Sequence, residues 1–336
     1  MSTVQLADVY TPTAFSRRAQ QKQIELNAFL ASGVAASDPL LTTMLSGGSN
    51  IVELPQFNGV TIKEPNYSSD DPGSDATPEK ISSALQKARS ASRNQHWSAM
   101  DLARDLSDAD PVGAITNRIG AYWATDDEKR LIQSALGVLA DNEANDSGDM
   151  VNDIATDDAG AVTDAERISP AAVIAATQTM GDHKTGLSVI AMHSVQHARL
   201  QTLGVIVDNF DPETGALRYQ TYLGNRVVVD DSLPAVAGSN RITYTTILFG
   251  PGAFGFGTGK VQTPSALSRN ELAGDGGGES IISSRVNTAF HPNGFAFSSA
   301  SVAGQSPTYA ELATAANWNR VVSRKAVNMA FLKVND

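Results

Sequence analysis

A single helical signal of about 30 residues dominates what this sequence can fold into. Asp110 followed by Pro111 is an N-cap acid with proline at the first helical position. From there Ile115, Ile119, Tyr122, Trp123, Leu131, Ile132, Leu136 and Leu139 share one broad face, and the pattern runs to the neighbourhood of Asp141. At 1.5 Å of rise per residue such a helix spans roughly 45 Å. It is a structural beam, and the other elements have to be laid along it.

The chain has the material to do so. Its 336 residues are 41% hydrophobic and 18% charged, a globular rather than a disordered or coiled-coil composition. A chain of this size buries about three quarters of its unfolded surface. With 25 Lys and Arg against 36 Asp and Glu the formal charge is -11. Phosphate backbones and anionic lipid repel such a molecule, which excludes a general nucleic-acid binder. Cysteine is absent, so disulfides, thiolate nucleophiles and Cys-based zinc or iron-sulfur sites are excluded together. Residues 1–13 lack the basic start and apolar run of a signal peptide, and no stretch reaches the roughly 18 to 20 apolar residues of a membrane span. A soluble chain without a membrane partner is expected.

Ahead of the beam the sequence is polar. Residues 13–32 read as a helix through Phe15, Ala19, Leu26, Phe29 and Leu30 that Gly33 stops, with Arg17, Arg18 and Lys22 on the polar face. So few apolar positions suggest a loosely docked arm. Residues 51–62 look extended, and Pro55 confines any strand there to an edge. Residues 64–77 are too dense in Pro, Gly, Asp, Asn and Ser to continue regular structure. Residues 78–97 fit either a helix through Ile81, Ala84, Leu85 and Ala88 or a long exposed strand. They carry Lys80, Lys87, Arg89 and Arg93 against one acid, Glu79. Residues 51–98 are too polar to form a core of their own.

Behind the beam, residues 141–166 hold nine acids and no Lys or Arg. That block reads as a solvated loop, with residues 147–161 exposed and mobile. An α/β pattern follows. Ser169 and Pro170 open a helix that Gly181 stops, residues 187–192 have the length of a buried strand, and residues 194–203 are helical up to Gly204. Further strands are expected at 226–230, 242–249, 281–297 and 321–334, separated by loops such as 274–278.

Candidate chemistry is sparse. His193 and His197 have the helical spacing of a zinc pair, but the base glutamate and a third ligand are missing, so neither is expected to be catalytic or metal-bound. Gly250, Gly252 and Gly255 spell G-x-G-x-x-G after an apolar strand. Pro251 and Pro264 leave no helix N-terminus for a pyrophosphate, so tight turns are the better reading. Residues 141–152 lack the glycine and closing glutamate of a calcium loop, and no nucleophile elbow is present. No catalytic residue, cofactor or metal is expected.

Four local stretches carry a resemblance: Val189-Ile-Ala-Met-His-Ser194, Tyr222-Leu-Gly-Asn-Arg-Val-Val-Val-Asp-Asp-Ser-Leu-Pro234, Phe249-Gly-Pro-Gly-Ala-Phe-Gly255 and Phe290-His-Pro-Asn-Gly-Phe295. Together with the order of polar arm, two-stranded excursion, long helix and mixed domain, they resemble the major capsid proteins of tailed bacteriophages with the Hong Kong 97 type shell fold. The likeness covers most of residues 10–336. It implies an α+β chain with an N-terminal arm at 1–50 and an extended β-loop at 51–109. A peripheral domain with spine helix and acidic loop would occupy 110–165, and an axial domain 166–336, with C-terminal strands returning to the peripheral domain.

By the same resemblance the chain self-assembles as hexamers and pentamers into an icosahedral virion shell in the bacterial host cytoplasm. Scaffolding, portal and cementing proteins and packaged double-stranded DNA would be its partners. No built-in scaffold extension is visible, and nothing identifies the lysine and asparagine that the founding member cross-links. Lys80, Lys87, Arg89 and Arg93 would lie on an arm crossing an adjacent copy, so that reversing Arg89 and Arg93 to Glu should spare the fold and impair assembly. A cellular encapsulating shell, an enzyme, and a tail-tube or decoration protein are the alternatives.

Overall fold

The computed structural model describes residues 28–48, 50–57, 63–73, 75–81, 83–101, 111–213 and 215–336. Within them the first element is α1 (Ala28–Ser32), which Gly33 ends at φ 81°. The part of the expected helix at 13–27, and the expected cap Asp110, lie outside the described residues. β1 (Ala35–Ser37) and α2 (Pro39–Ser46) follow, and the Asp38 carboxylate caps α2 by accepting from the amides of Leu40 and Leu41. Of the arm expected over 13–32, the described end at 28–32 is docked through buried Phe29, and Val34, Leu41 and Leu45 beyond it are buried too. Phe29 and Val34 join the main core and Leu41 and Leu45 a smaller one, while Leu40 and Met44 stay exposed.

β2 (Ile51–Phe57) and β3 (Ser83–Arg89) form an antiparallel hairpin, and β4 (Ala91–Met100) continues beyond it. Of the two readings of residues 78–97, the strand is the one adopted. Pro55 is tolerated because β2 pairs with β3 alone. The beam is α3 (Pro111–Asn145), on which Ile119, Trp123, Leu131, Ile132 and Leu139 are buried and Tyr122 is not.

The remaining elements are β5 (Val151–Asp153), α4 (Pro170–Gln178), β6 (Val189–Met192), α5 (Ser194–Thr202), β7 (Val207–Phe210), β8 (Leu217–Tyr222), β9 (Asn225–Val229), β10 (Ala235–Ala237), β11 (Ile242–Phe249), β12 (Phe254–Thr258), β13 (Ser265–Asn270), β14 (Glu279–Pro292), β15 (Phe295–Phe297), α6 (Tyr309–Leu312), β16 (Trp318–Arg320) and β17 (Met329–Asn335). An eight-stranded sheet runs in the order β5-β17-β11-β6-β9-β8-β7, with β10 paired to β11.

The central strands of that sheet are buried on both sides. Val189, Ala191, Ile247, Phe249, Met329 and Phe331 join the core built with α3 and Phe29. Their neighbours Ile190, Met192, Leu248, Leu332 and Val334 join a second core with α4 and α5. Two covered faces explain why these strands read as unbroken apolar runs.

The other large sheet is organised around β14, which has β4 along one side and β12 followed by β13 along the other, with β1 parallel to β12. Gly250 and Gly252 make the turn between β11 and β12. Their amides donate to the carbonyls of Asn328 and Gly33, and Gly255 lies inside β12.

The acidic stretch is not a solvated loop. Met150 is fully buried and β5 pairs in parallel with β17. Asp149 accepts both terminal nitrogens of Arg320 at 2.7 and 3.0 Å. Although burial works against it, those bonds and one from Asn142 hold the Asp149 carboxyl below its usual range. Hydrogen bonds from Thr156, Thr163 and Arg241 lower Glu166 to about 2. Lys333 pairs with Glu143. Apart from Arg167, 3.9 Å from Asp164, the counter-charges come from residues 199, 241, 320 and 333, far along the chain, which is why the local sequence gives little sign of them. Residues 156–161 do stay on the surface.

Candidate functional site

All described residues between 63 and 81 are exposed and belong to no helix or strand. Tyr67 is 78% exposed there, and Phe57, at the end of β2, is 76% exposed. The segment's hydrogen bonds among the described residues, such as Lys63 to Glu79 and Asn66 to the Thr77 carbonyl, stay within it, and an exposed segment this long is uncommon unless it meets something else. Its root is fixed. Val52 and Ala88 pack with Leu41, Leu45 and Ala289, while Ile51 and Leu85 on the opposite face remain open.

A buried glutamine pins the hairpin to the turn after β14. Gln86 Oε1 accepts from the Gly294 amide at 3.1 Å and lies 3.2 Å from His291 Nε2, while its amide donates to Gln56. Burial lowers His291 to about 4 from an ordinary value of 6.5. Between those values the unfolded chain takes up a proton that the folded chain refuses. Stability from this site is therefore complete above about pH 6.5 and is lost progressively as pH falls toward 4. The urea midpoint of the free subunit should fall across that window, and less steeply in His291→Gln. Equal slopes would show that His291 does not contribute.

A strap formed by residues 304–309 ties the hairpin root to the beam. Arg89 donates to the carbonyls of Gly304 and Gln305 at 2.7 and 3.0 Å, and Asn50 donates to the Gln305 side chain. Ser306 exchanges hydrogen bonds with the main chain of Ser92. Arg130 of α3 donates to the Pro307 carbonyl at 2.9 Å, and Tyr309 donates to Asp126.

Beside the strap, Arg93 reaches into the molecule. It pairs with Asp126 and with Asp127 at 2.8 Å, donates to Thr288, and lies 5.3 Å from the Trp123 ring centroid. Burial and the nearby Arg93 charge lower Arg130 to about 10, which leaves it protonated at neutral pH. Two acids and two cations thus balance where hairpin, beam and strap meet.

The four basic residues singled out in the sequence therefore do not share one outward face. Arg93 is largely buried against α3, and Arg89 is held by the strap. Lys87 pairs across the hairpin with exposed Glu53 at 3.2 Å, and Lys80 is exposed in the 63–81 segment. What the sequence reading missed is the set that receives them: Asp126, Asp127 and Arg130 on the beam, and the strap. Adjacent acids on the buried side of an apolar helix were the available signal.

The two histidines have separate duties. His193 is the N-cap of α5, its Nδ1 accepting from the Val195 amide at 3.3 Å, and His197 meets Gln220 at 2.7 Å. Among the described residues no group of three or more His, Cys, Asp or Glu could hold a metal ion. No helix among them is long and apolar enough to cross a membrane.

Comparison with known proteins gives this architecture its context. The family model for Gp13-like major capsid proteins matches residues 106–328. The major capsid protein of Bacillus phage SPP1 is 31% identical over 336 residues, 99% of this chain and 98% of its own length. Among solved structures, the capsid of Ralstonia phage GP4 is similar with a TM-score of 0.55 at 10% identity, over 93% of this chain and 90% of that one. The capsid asymmetric unit of cyanophage Pam1 is similar with a TM-score of 0.51 at 9% identity, over 85% of each chain. The structures establish a shared mixed α+β fold, and the sequence matches go further: the chain belongs to the Gp13-like family of major capsid proteins, structural proteins of the phage virion rather than enzymes.

Proposed function

We propose that this chain, as the major capsid protein of a tailed phage, forms the hexamers and pentamers of an icosahedral shell, and that residues 51–101 act as an extended loop lying across a neighbouring copy. The observation that carries this reading is the contrast within the hairpin. Its root is pinned by Gln86, Arg89 and the Arg93 network, while all described residues from 63 to 81 are exposed. A rigid base under a fully exposed tip suits a contact between copies. In this reading α3 with the β14 sheet forms the peripheral domain and the eight-stranded sheet with α4 and α5 the axial one. Residues 1–50 lead into both as an N-terminal arm.

Lys80 and Lys87 remain the basic residues proposed to meet a neighbour. Separate scaffolding, portal and cementing proteins, assembly in the host cytoplasm, and double-stranded DNA held without sequence specificity complete the proposal. The net charge of -11 favours loose enclosure of DNA over tight binding. Replacing residues 58–82 with Asn-Gly, a two-residue turn suited to the Phe57 and Ser83 pair, tests the loop. The expected product is a folded, soluble subunit that forms no shells, read by circular dichroism and sedimentation. Shells at normal yield would refute the assigned role of the loop.

A further inference from the structure

One side of β14 is shared by two strands. β12 pairs with residues 288–292 and β13 with residues 279–284, which leaves residues 285–287 facing the connecting loop at 259–264. The loop is fastened at its ends, where Gly259 donates to the Asn287 carbonyl and Arg285 donates to the Pro264 carbonyl, each at 2.8 Å. Between these points a cavity of about 280 Å³ opens, with Phe256 and Val261 among its apolar walls.

Three of its polar side chains are incompletely matched. Lys260 is exposed and Arg285 half-buried at the cavity, and among the described residues neither has an ion-pair partner. Arg285 spends one nitrogen on the Thr263 carbonyl at 3.1 Å. Asn287 Oδ1 is buried and accepts no hydrogen bond. Two cations and an orphaned acceptor call for a ligand with carboxylates and N–H donors, which is an acidic stretch of polypeptide.

The same chain carries the complement. Asp70, Asp71 and Asp75 are exposed at the hairpin tip and, among the described residues, have no Lys or Arg partner, whereas Glu79 is matched by Lys63. Because the tip is exposed, it does not fill the cavity of its own chain. We propose that the gap between β12 and β13 receives the 70–75 segment of a second copy, with Lys260 and Arg285 meeting its carboxylates and Asn287 Oδ1 accepting a main-chain amide. This rests on the reading of residues 51–101 as a loop laid across a neighbour, and it names where that loop lands. The negative net charge disfavours the other anion at hand, packaged nucleic acid.

A charge-swap series in the full-length chain, expressed under conditions where the unaltered chain forms shells, tests the proposal. Lys260→Glu with Arg285→Glu, and separately Asp70→Lys with Asp71→Lys and Asp75→Lys, should each lower shell yield about tenfold or more, because like charges then meet at every contact. Combining the two sets should restore yield to within about threefold of the unaltered chain. The neutral pair Lys260→Gln with Arg285→Gln should lower yield in the same direction but less, and serves if the reversed pair does not fold. Unchanged yield in the neutral pair or in the tip variant, or no rescue in the folded combination, would overturn the contact. So would normal shells that only fail to retain DNA, since that points to phosphate as the partner. If no condition, co-expression with the scaffolding protein included, yields shells of the unaltered chain, it is the underlying shell reading that fails.

Discussion

Replacing Arg93 with methionine should destabilise the free subunit by about 3 to 5 kcal/mol and lower its melting temperature by roughly 10 °C. Arg93 is the cation lying against Asp126 and Asp127, and the Asp127 side chain is 0% exposed. Methionine keeps much of the packing on Trp123 but leaves a fully buried carboxylate beside a second one, which is the costly half of a broken ion pair. Arg130 remains as a counter-charge, with one terminal nitrogen committed to the Pro307 carbonyl. Adding Asp127→Leu to Arg93→Met should recover part of the loss, because the buried carboxylate that lost its ion pair goes with it, though the Thr288 hydroxyl then loses an acceptor. Urea denaturation of both variants reads the effect, and a loss below about 1 kcal/mol for Arg93→Met would mean that water already shields the pair. Charge reversal at Arg89 and Arg93, the assembly test suggested by the sequence, would therefore report on folding. Of those four basic residues, Lys80 and Lys87 are the ones whose reversal would leave the buried network intact.

Gly137→Ala should be the second severe substitution, with a loss of about 3 kcal/mol. On an ordinary exposed helix this exchange stabilises by about 1 kcal/mol, since glycine is the poorer helix former. Here a methyl group would collide with the Leu312 carbonyl and the Trp318 indole nitrogen, closer than any Cβ approaches another atom. The indole donates to that carbonyl at 2.7 Å, so the new carbon displaces a buried hydrogen bond as well as the segment that makes it. Relief would require residues 312–318 to lift from α3, uncovering Trp318 and its partner Phe297. A lower melting temperature with a changed near-ultraviolet circular dichroism spectrum is expected. A more stable protein would show that the segment does not cross the helix at this point.

These two residues also show what the sequence displays and what it conceals. The beam, the helix from Pro170, the strand at 242–249 and the helix from Ser194 are legible because periodicity, caps and stop glycines lie within the elements themselves. β12 and β13 are not legible, since their glycines and polar residues become strands only by pairing with β14. The docking of the acidic stretch is hidden for the same reason, most of its cations standing at 199, 241, 320 and 333. At the hairpin, sequence identified the exposed excursion and its excess of basic residues. It could not show that Arg93 turns inward, because that depends on Asp126 and Asp127 arriving from another element. Gly137, an isolated glycine inside a strong helical pattern, was a visible mark of close approach.

Electron cryo-microscopy of particles containing this chain decides the shell assignment. The expected map shows the chain repeated as the wall of a closed icosahedral shell, in hexamers and pentamers, with residues 63–81 resting on an adjacent copy. A tube, isolated knobs on a shell built from another protein, or a shell in which residues 63–81 touch no other copy would contradict it.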